Sequence, residues 1–447
     1  MFQKVLIANR GEIARRIIRT CRRLGIATVA VYSEADASLP FVREADEAVW
    51  LGPPPAAKSY MNMEKILEIA EQTKSCAIHP GYGFLSENAE FARRCQERGI
   101  VFIGPRPEVI QAMGSKIEAR RRMREAGVPV VPGWDEDIPT VEEAQRIAEE
   151  LGYPVMLKAS AGGGGIGMQL VQTPEELEKV FASVRQRAQT YFGSGEVFLE
   201  KWIRQPRHIE VQLARDEHGR GIHLFERECS IQRRHQKVVE ETPSPFLNDE
   251  QRSSLYAAAL RGMEAIGYTN LGTMEFIFDG DRNFYFLEMN TRLQVEHPVT
   301  EETTGLDLVE LQLRIAAGQP MGLDQNDLRP TGHAIECRIY AEDPETFYPS
   351  PGTITHLELP EGARYEMAVE TGNTVTPFYD PMIGKVITRG ASRQEAIERM
   401  IRVLSNMKLE GLKTNVPLLL DILRDRDFQA GMYDANFLQN IKNRAGI

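Results

Sequence analysis

Three patterns in the sequence predict a mixed α/β and α+β chain built from about three units. Short apolar runs alternate with amphipathic stretches over residues 1–112, as in a parallel, Rossmann-like sheet with helices between its strands. A run of four glycines, Gly162, Gly163, Gly164 and Gly165, marks a mobile lid in the second unit. Beyond residue 204 the apolar runs follow one another directly, with period-two alternation and turn residues between them. At ~150 residues per domain, the 447 residues fit such a division. The boundaries fall at 1–112 for the first unit, 113–130 for a charged connecting helix, 131–203 for the lid unit and 204–447 for a C-terminal mixed unit.

In the first unit, Lys4–Ala8, Ala27–Tyr32, Cys76–His79 and Val101–Ile103 read as short buried strands, and Glu12–Leu24, Met63–Thr73 and Asn88–Arg98 as helices. The first strand-to-helix turn, Asn9-Arg10-Gly11-Glu12, lacks the glycine fingerprint of a dinucleotide site. After the third strand comes Pro80-Gly81-Tyr82-Gly83-Phe84-Leu85-Ser86-Glu87-Asn88, a tight loop at a strand's C-terminal end, where open α/β sheets bind ligands. Ser86 is expected to cap the helix that follows.

Most charges of the 113–130 helix, Lys116 among them, read as a solvated face. In the lid unit a strand at Pro154–Lys158 enters the glycine run and Gln169–Val171 leaves it. Consecutive glycines let backbone N–H groups close around phosphate oxygens. No Lys-Ser or Lys-Thr follows, so the run is not a Walker loop. Lys158 stands within reach of a phosphate. Val197–Ile203 is a strand carrying Glu200. Arg227 to Lys237 concentrates cations in an acidic chain and reads equally as a charge-blunted sheet edge or as an anion pocket.

The stretch Asn283 to Glu302 organises the third unit. Up to Val295 it alternates, with Leu287, Met289, Leu293 and Val295 on one parity and Phe284, Phe286, Glu288, Asn290, Arg292, Gln294 and Glu296 on the other. An extended backbone makes the first set core and the second the wall of a charged-ligand site. Thr273–Phe278 precedes it across a four-residue turn. Pairing 279 with 284 sets Glu275 opposite Glu288, where like charges repel. Mg²⁺ would offset that repulsion; a shared proton or solvent screening is the alternative. His333–Tyr340 alternates as well, and its Arg338 parity points toward the site of Arg292. Residues 341–390 read as short Pro/Gly-rich strands, and Arg393–Met407 and Val416–Arg424 as closing helices.

Hydrophobic and charged contents of 42% and 26% are ordinary for a globular protein. The net charge of −11 argues against a general basic surface for nucleic acid, so an anionic ligand needs a local cationic pocket. Five scattered cysteines fit a reducing compartment. With no signal peptide and no apolar run near 18 residues, the expectation is a cytoplasmic protein without a membrane partner.

Together these stretches resemble the ATP-grasp superfamily and, within it, the biotin carboxylases, from residue 2 to about 440. The motifs are Ile7-Ala8-Asn9-Arg10-Gly11-Glu12, His79 to Asn88, the glycine loop, Gln232 to Lys237, and Glu288 to Pro298. The resemblance implies an ATP-grasp fold and a ligase dependent on ATP and Mg²⁺ (or Mn²⁺). Such an enzyme phosphorylates bicarbonate to carboxyphosphate and transfers the carboxyl group to biotin on a separate biotin carboxyl carrier protein. That is the first half-reaction of acetyl-CoA carboxylase, hence of fatty acid biosynthesis, or of a related carboxylase. The other implied partners are a carboxyltransferase, in one or more subunits, and a second copy of the chain in a homodimer.

Carried over by motif, the resemblance implies that Lys116, Lys158 and the four glycines meet nucleotide phosphates. Glu200, Lys201 and Ile203 flank the adenine, with His208, Gln232 and His235 along the nucleotide. Glu275 and Glu288 hold the metal beside Asn290. Lys237, Arg292, Gln294 and the Val295 backbone bind bicarbonate, Glu296 deprotonates it, Arg338 stabilises the biotin enolate, and Tyr82 and Gly83 border the biotin pocket. Most members of the family the chain resembles carry arginine where it has Ile166, which implies a higher KM for ATP. Met407-Lys408-Leu409 is like a biotin attachment site but ends a helical pattern, so the carrier is expected to be separate. Two other readings stand: a different ATP-grasp ligase, and a non-catalytic partner in a carboxylase complex, toward which only Ile166 points.

Overall fold

In the computed structural model, which describes residues 1–161 and 167–445, the N-terminal apolar runs form one parallel sheet. Its strands are β1 (Lys4–Ile7), β2 (Ala27–Ser33), β3 (Glu47–Gly52), β4 (Ala77–His79) and β5 (Val101–Phe102), in the order β3-β2-β1-β4-β5. The sequence pattern does not reveal β3. It is an edge strand in which only Leu51 and Gly52 are buried, so it carries no apolar signature. Asn9, just past β1, ties down the loop that follows β4: its Nδ2 donates to the carbonyls of Pro80 at 2.8 Å and Tyr82 at 2.7 Å. Gly81 allows this approach, because a Cβ there would lie 2.8 Å from the same nitrogen. Asn88, not Ser86, caps the next helix, accepting from the Phe91 N–H at 2.8 Å. Ser86 sits three residues before the helix begins and is buried in the loop.

The connecting helix is shorter than 113–130, running Lys116–Glu125, and a separate helix, Pro107–Gly114, precedes it. Ser115 between them is extended and caps the second helix through the Glu118 N–H. Next, β6 (Val155–Ala159), β7 (Met168–Val171) and β8 (Val197–Lys201) make a three-stranded antiparallel sheet, order β7-β6-β8. Helices Val141–Leu151 and Pro174–Phe192 back it with a separate apolar core around Ile147, Leu157, Phe181 and Leu199. Gly162, Gly163, Gly164, Gly165 and Ile166 lie outside the described residues.

The remaining chain is dominated by one eight-stranded antiparallel sheet. It runs β13 (Phe284–Asn290), β12 (Asn270–Phe278), β9 (Arg207–Arg215), β10 (Gly221–Arg233), β11 (Gln236–Thr242), β14 (His333–Tyr340), then Met382–Gly390 and Arg364–Met367. The β12–β13 hairpin departs from the expected register. Near the turn Phe278 pairs with Phe284 and Phe276 with Phe286, one residue off. A bulge at Leu287 then restores the offset, so Glu275 does face Glu288. The bulge also flips the face: Phe284 and Phe286 pack with Phe276 and Phe278 in the core, and Leu287 turns to the cavity. The strand stops at Asn290 rather than Val295, and residues 291–296 lead irregularly into helix His297–Thr304.

The helix Arg393–Asn406 does end at Met407, its C-cap; Lys408–Glu410 then forms a short strand paired with His356–Glu358, and Lys408 is ion-paired to Glu358 at 2.7 Å. Among the described residues no helix is long and apolar enough to cross a membrane.

Glu241 on β11 anchors the C-terminal helices to the sheet. It accepts from His333 at 2.6 Å, from Arg393 at 2.6 and 2.9 Å, and from Tyr433 at 2.5 Å. Burial pushes its carboxyl up, but His333 and Arg393 outweigh that and bring it from 4.5 to about 2. A carboxyl depressed on folding contributes stability above its unfolded pKa and loses it as the pH falls through the folded one. We therefore expect roughly 3 kcal/mol of stability to be lost through this group between about pH 4.5 and 2. Urea midpoints for the parent and Glu241→Gln at pH 6, 4 and 3 test this: the variant should fall less steeply, and parallel slopes would refute it.

Candidate functional site

Between the parallel sheet, the lid and the eight-stranded sheet lies a cavity of about 1350 Å³. Every described residue assigned above to a site role lines it, from Tyr82 and Gly83 to Ile203 and His235, with one exception. Glu296 is fully buried just behind the wall.

Lys237 is the centre of the arrangement. It lies near the start of β11, and the sheet curls enough for its Nζ to reach Glu210 on β9 at 2.6 Å and Glu275 on β12 at 2.7 Å. The same ammonium is 2.7 Å from Glu296 Oε1. Burial lowers the Lys237 pKa, but Glu210, Glu275 and Glu296 reverse this and hold it well above its ordinary value. The other Glu296 oxygen accepts from Arg338 at 2.9 Å. Burial pushes the Glu296 carboxyl up, yet Lys237 and Arg338 bring it well below the usual carboxylate range. Both of its oxygens are thus occupied by cations.

Glu275 and Glu288 face each other across the hairpin and are driven apart in acidity. Burial raises Glu275, but Lys237 and His208, 3.0 Å away, take it well below its ordinary value. Glu288 is raised, first by burial and then by Glu275; its nearest cation, Lys116, is 3.6 Å away. Asn290 Nδ2 is buried without a hydrogen-bond partner. Two opposed carboxylates, one short of positive charge, and a neighbouring amide form a hard oxygen donor set, which fits Mg²⁺ or Mn²⁺.

Arg292 is half-buried and aimed at the cavity. It bonds Glu87 at 2.8 Å, Gln294 Oε1 at 2.9 Å and Asn290 Oδ1 at 3.0 Å. Gln294 in turn donates to Glu275 at 3.1 Å. On the opposite wall Glu200 is paired with both Lys158 and Arg120. The Lys201 side chain turns away to the carbonyls of Leu151 and Gly152, at 3.0 and 2.5 Å. Gln232 is 3.0 Å from His208 Nδ1. Tyr82 donates to Glu12.

Sequence reasoning missed several residues. Glu210 and Arg227 form a wholly buried pair at 2.6 Å behind Lys237. Glu240 holds Arg338 at 2.5 Å. Glu87 braces Arg292, and Glu12 and Lys385 support the loops on the far side. Glu12, Glu87 and Arg227 lie in stretches singled out above without being given a role. Glu210, set between Ile209 and Leu213, left a signal of its own by sharing parity with His208 and Gln212.

The same architecture is found in known proteins. Residues 1–110 match the family described as biotin carboxylase, N-terminal domain; residues 115–324 match carbamoyl-phosphate synthase L chain, ATP binding domain; residues 336–440 match biotin carboxylase C-terminal domain. The chain is 59% identical over 441 residues to biotin carboxylase 2 of Bacillus subtilis, covering 98% of this chain and 99% of that one. It is 50% identical over 442 residues to the biotin carboxylase of Haemophilus influenzae, covering 98% of each chain. Among solved structures, it resembles the biotin carboxylase domain dimer of Hydrogenobacter thermophilus 2-oxoglutarate carboxylase in complex with MgADP, ADP and bicarbonate. That likeness has a TM-score of 0.96 and 49% identity, over 98% of each chain.

Proposed function

The chain belongs to the biotin carboxylase family, and from that membership we propose that it carboxylates biotin on a separate carrier protein, using ATP and bicarbonate. The observation that carries this reading is the joining of two sites in one cavity. A Glu275–Glu288 pair suited to a divalent ion stands beside Arg292, Gln294 and the cation-capped base Glu296. Its fold is that of the ATP-grasp enzymes, and we read 1–112, 113–130, 131–203 and 204–447 as its units.

Glu275 and Glu288 would hold Mg²⁺ or Mn²⁺, with Asn290 beside them; when bound, the ion neutralises charge on the transferring phosphate. Lys116 and Lys158 add positive charge at the phosphates of the nucleotide, which extends past Glu200, Lys201, Ile203, His208, Gln232 and His235. The four glycines at 162–165, which lie outside the described residues, are assigned to its phosphates on the family resemblance, and excluding water there would protect carboxyphosphate. Bicarbonate is planar and carboxylate-like, so the Arg292 fork binds it bidentately. Gln294, Lys237 and the Val295 N–H complete that subsite. Glu296 takes the bicarbonate proton as the hydroxyl oxygen attacks the terminal phosphorus; the bond from that phosphorus to the bridging oxygen breaks, and ADP leaves from carboxyphosphate. The carboxyl carbon then passes to N1′ of biotin as its bond to the phosphate oxygen breaks, the departing phosphate taking the N1′ proton. Arg338 faces the ureido oxygen where negative charge develops, with Tyr82 and Gly83 bordering that pocket.

The similar structure is a dimer, and a homodimer working with a biotinylated carrier and a carboxyltransferase is part of the proposal. So is a cytoplasmic location. Bicarbonate-dependent ADP release by the purified chain in excess Mg²⁺, with and without free biotin, tests the reading. Biotin is expected to stimulate release several-fold. An equal rate in its absence would point to another ATP-grasp ligase.

A further inference from the structure

One buried cation has no part in the chemistry above. Lys385, on the Met382–Gly390 strand, is fully buried. Its Nζ donates to the Val295 carbonyl at 2.7 Å and lies 3.3 Å from Glu12 Oε2. Glu12, in the first turn of helix Gly11–Arg23, is itself only 3% exposed. Its other oxygen, Oε1, accepts from the Tyr82 hydroxyl. Asn9 fixes the Tyr82 carbonyl from the same side, at 2.7 Å. Three contacts therefore run without interruption from the peptide at 295 to the loop at 82.

We propose that Lys385 is a positioning residue that couples the bicarbonate subsite to the biotin loop. The inference rests on the subsite assignments made above. An ammonium buried this deeply is held only by the acceptors it meets, so it fixes both of them. Holding the Val295 carbonyl sets the plane of the peptide between Val295 and Glu296, and so joins the residue whose N–H is assigned to bicarbonate to the residue assigned as its base. Holding Glu12 sets the acceptor of the Tyr82 hydroxyl. Biotin pressing on Tyr82 then alters the pull on Val295, and bicarbonate aligning Val295 alters the seat of Tyr82. Coupling of this kind is reciprocal, so each ligand changes the affinity of the other by the same factor.

The test uses the full chain and reads KM for bicarbonate, ATP and free biotin from ADP release. In Lys385→Met we expect the bicarbonate KM to rise about tenfold, the loss of a hydrogen bond to a charged group. The factor by which biotin stimulates release should shrink, while the ATP KM stays within about twofold. Tyr82→Phe removes only the hydroxyl bond, on the half-exposed side of the path. It should also raise the bicarbonate KM measured without biotin, although Tyr82 does not touch that subsite. The effects of the two changes combined should be smaller than their product. If Tyr82→Phe moves the biotin KM alone, or if Lys385→Met raises all three KM values equally, Lys385 is only a structural cation and the proposal falls. If Lys385→Met does not fold, Tyr82→Phe decides by itself. A parent chain with no biotin stimulation at all would overturn the assignment of function as well, which separates the two failures.

Discussion

Glu296→Gln is expected to lower kcat for bicarbonate-dependent ADP release by roughly 10²- to 10⁴-fold, the usual worth of a positioned general base. The ATP KM should stay within about twofold, because Glu296 is buried behind the cavity wall rather than along the nucleotide. Burial opposes ionisation of this carboxyl, and Lys237 and Arg338 more than restore it, so the base form is present throughout the neutral range. The same two cations weaken it as a base. Bicarbonate, itself an anion, must share Lys237 when it binds, and that sharing frees the Glu296 oxygen and raises its basicity where the proton is to be taken. Glutamine keeps the shape and the Arg338 contact but has no lone pair to receive a proton at carboxylate strength. Steady-state rates with and without bicarbonate check this, and normal turnover in the variant would remove Glu296 from the role of base.

Lys237→Met should abolish turnover and also weaken the fold by roughly 3 kcal/mol at neutral pH, the cost of removing one partner from a buried ionic group. Three carboxylates share that ammonium within 2.6 to 2.7 Å. Each keeps a second partner: Arg227 for Glu210, His208 for Glu275 and Arg338 for Glu296. The fold should therefore survive. Without Lys237 the folded-state pKa values of Glu275 and Glu296 rise toward or above their unfolded ones, so the variant takes up protons on acidification that the parent does not. Its deficit should shrink as the pH falls from 7.5 to 5.5. Urea midpoints at the two values measure the deficit, and one that is independent of pH would contradict the charge-sharing account.

The strongly patterned parts of this architecture were legible in the sequence. Alternation of apolar runs and helices announced the parallel sheet, and period-two alternation from Phe284 announced a strand with acids on one face. What failed was phase. A bulge at Leu287 is a local backbone event with no composition of its own, so the sequence put Phe284 and Phe286 on the wrong face while still pairing Glu275 with Glu288. The edge strand Glu47–Gly52 was lost because a strand buried at only two positions has no periodicity to read. Supporting groups were lost for a different reason. Lys385 and Glu12 belong to elements 373 residues apart in sequence, and what pairs them is the packing of the first helix on the last strands of the sheet. The break at Ser115 was readable, since Gly114 ends one helix and Ser115, with Glu118 three residues on, caps the next, but the run of charges around it reads as a single helical face.

The strand bearing Arg338 and the hairpin bearing Glu275 and Glu288 belong to the same hydrogen-bonded sheet. The carboxylate pair proposed to hold the metal and the arginine proposed to face biotin therefore stand on one continuous floor, while Tyr82 and Gly83 reach the same cavity from a loop of the parallel sheet. On the reading proposed above, an intermediate formed over the hairpin would pass along that floor to meet the carrier's biotin.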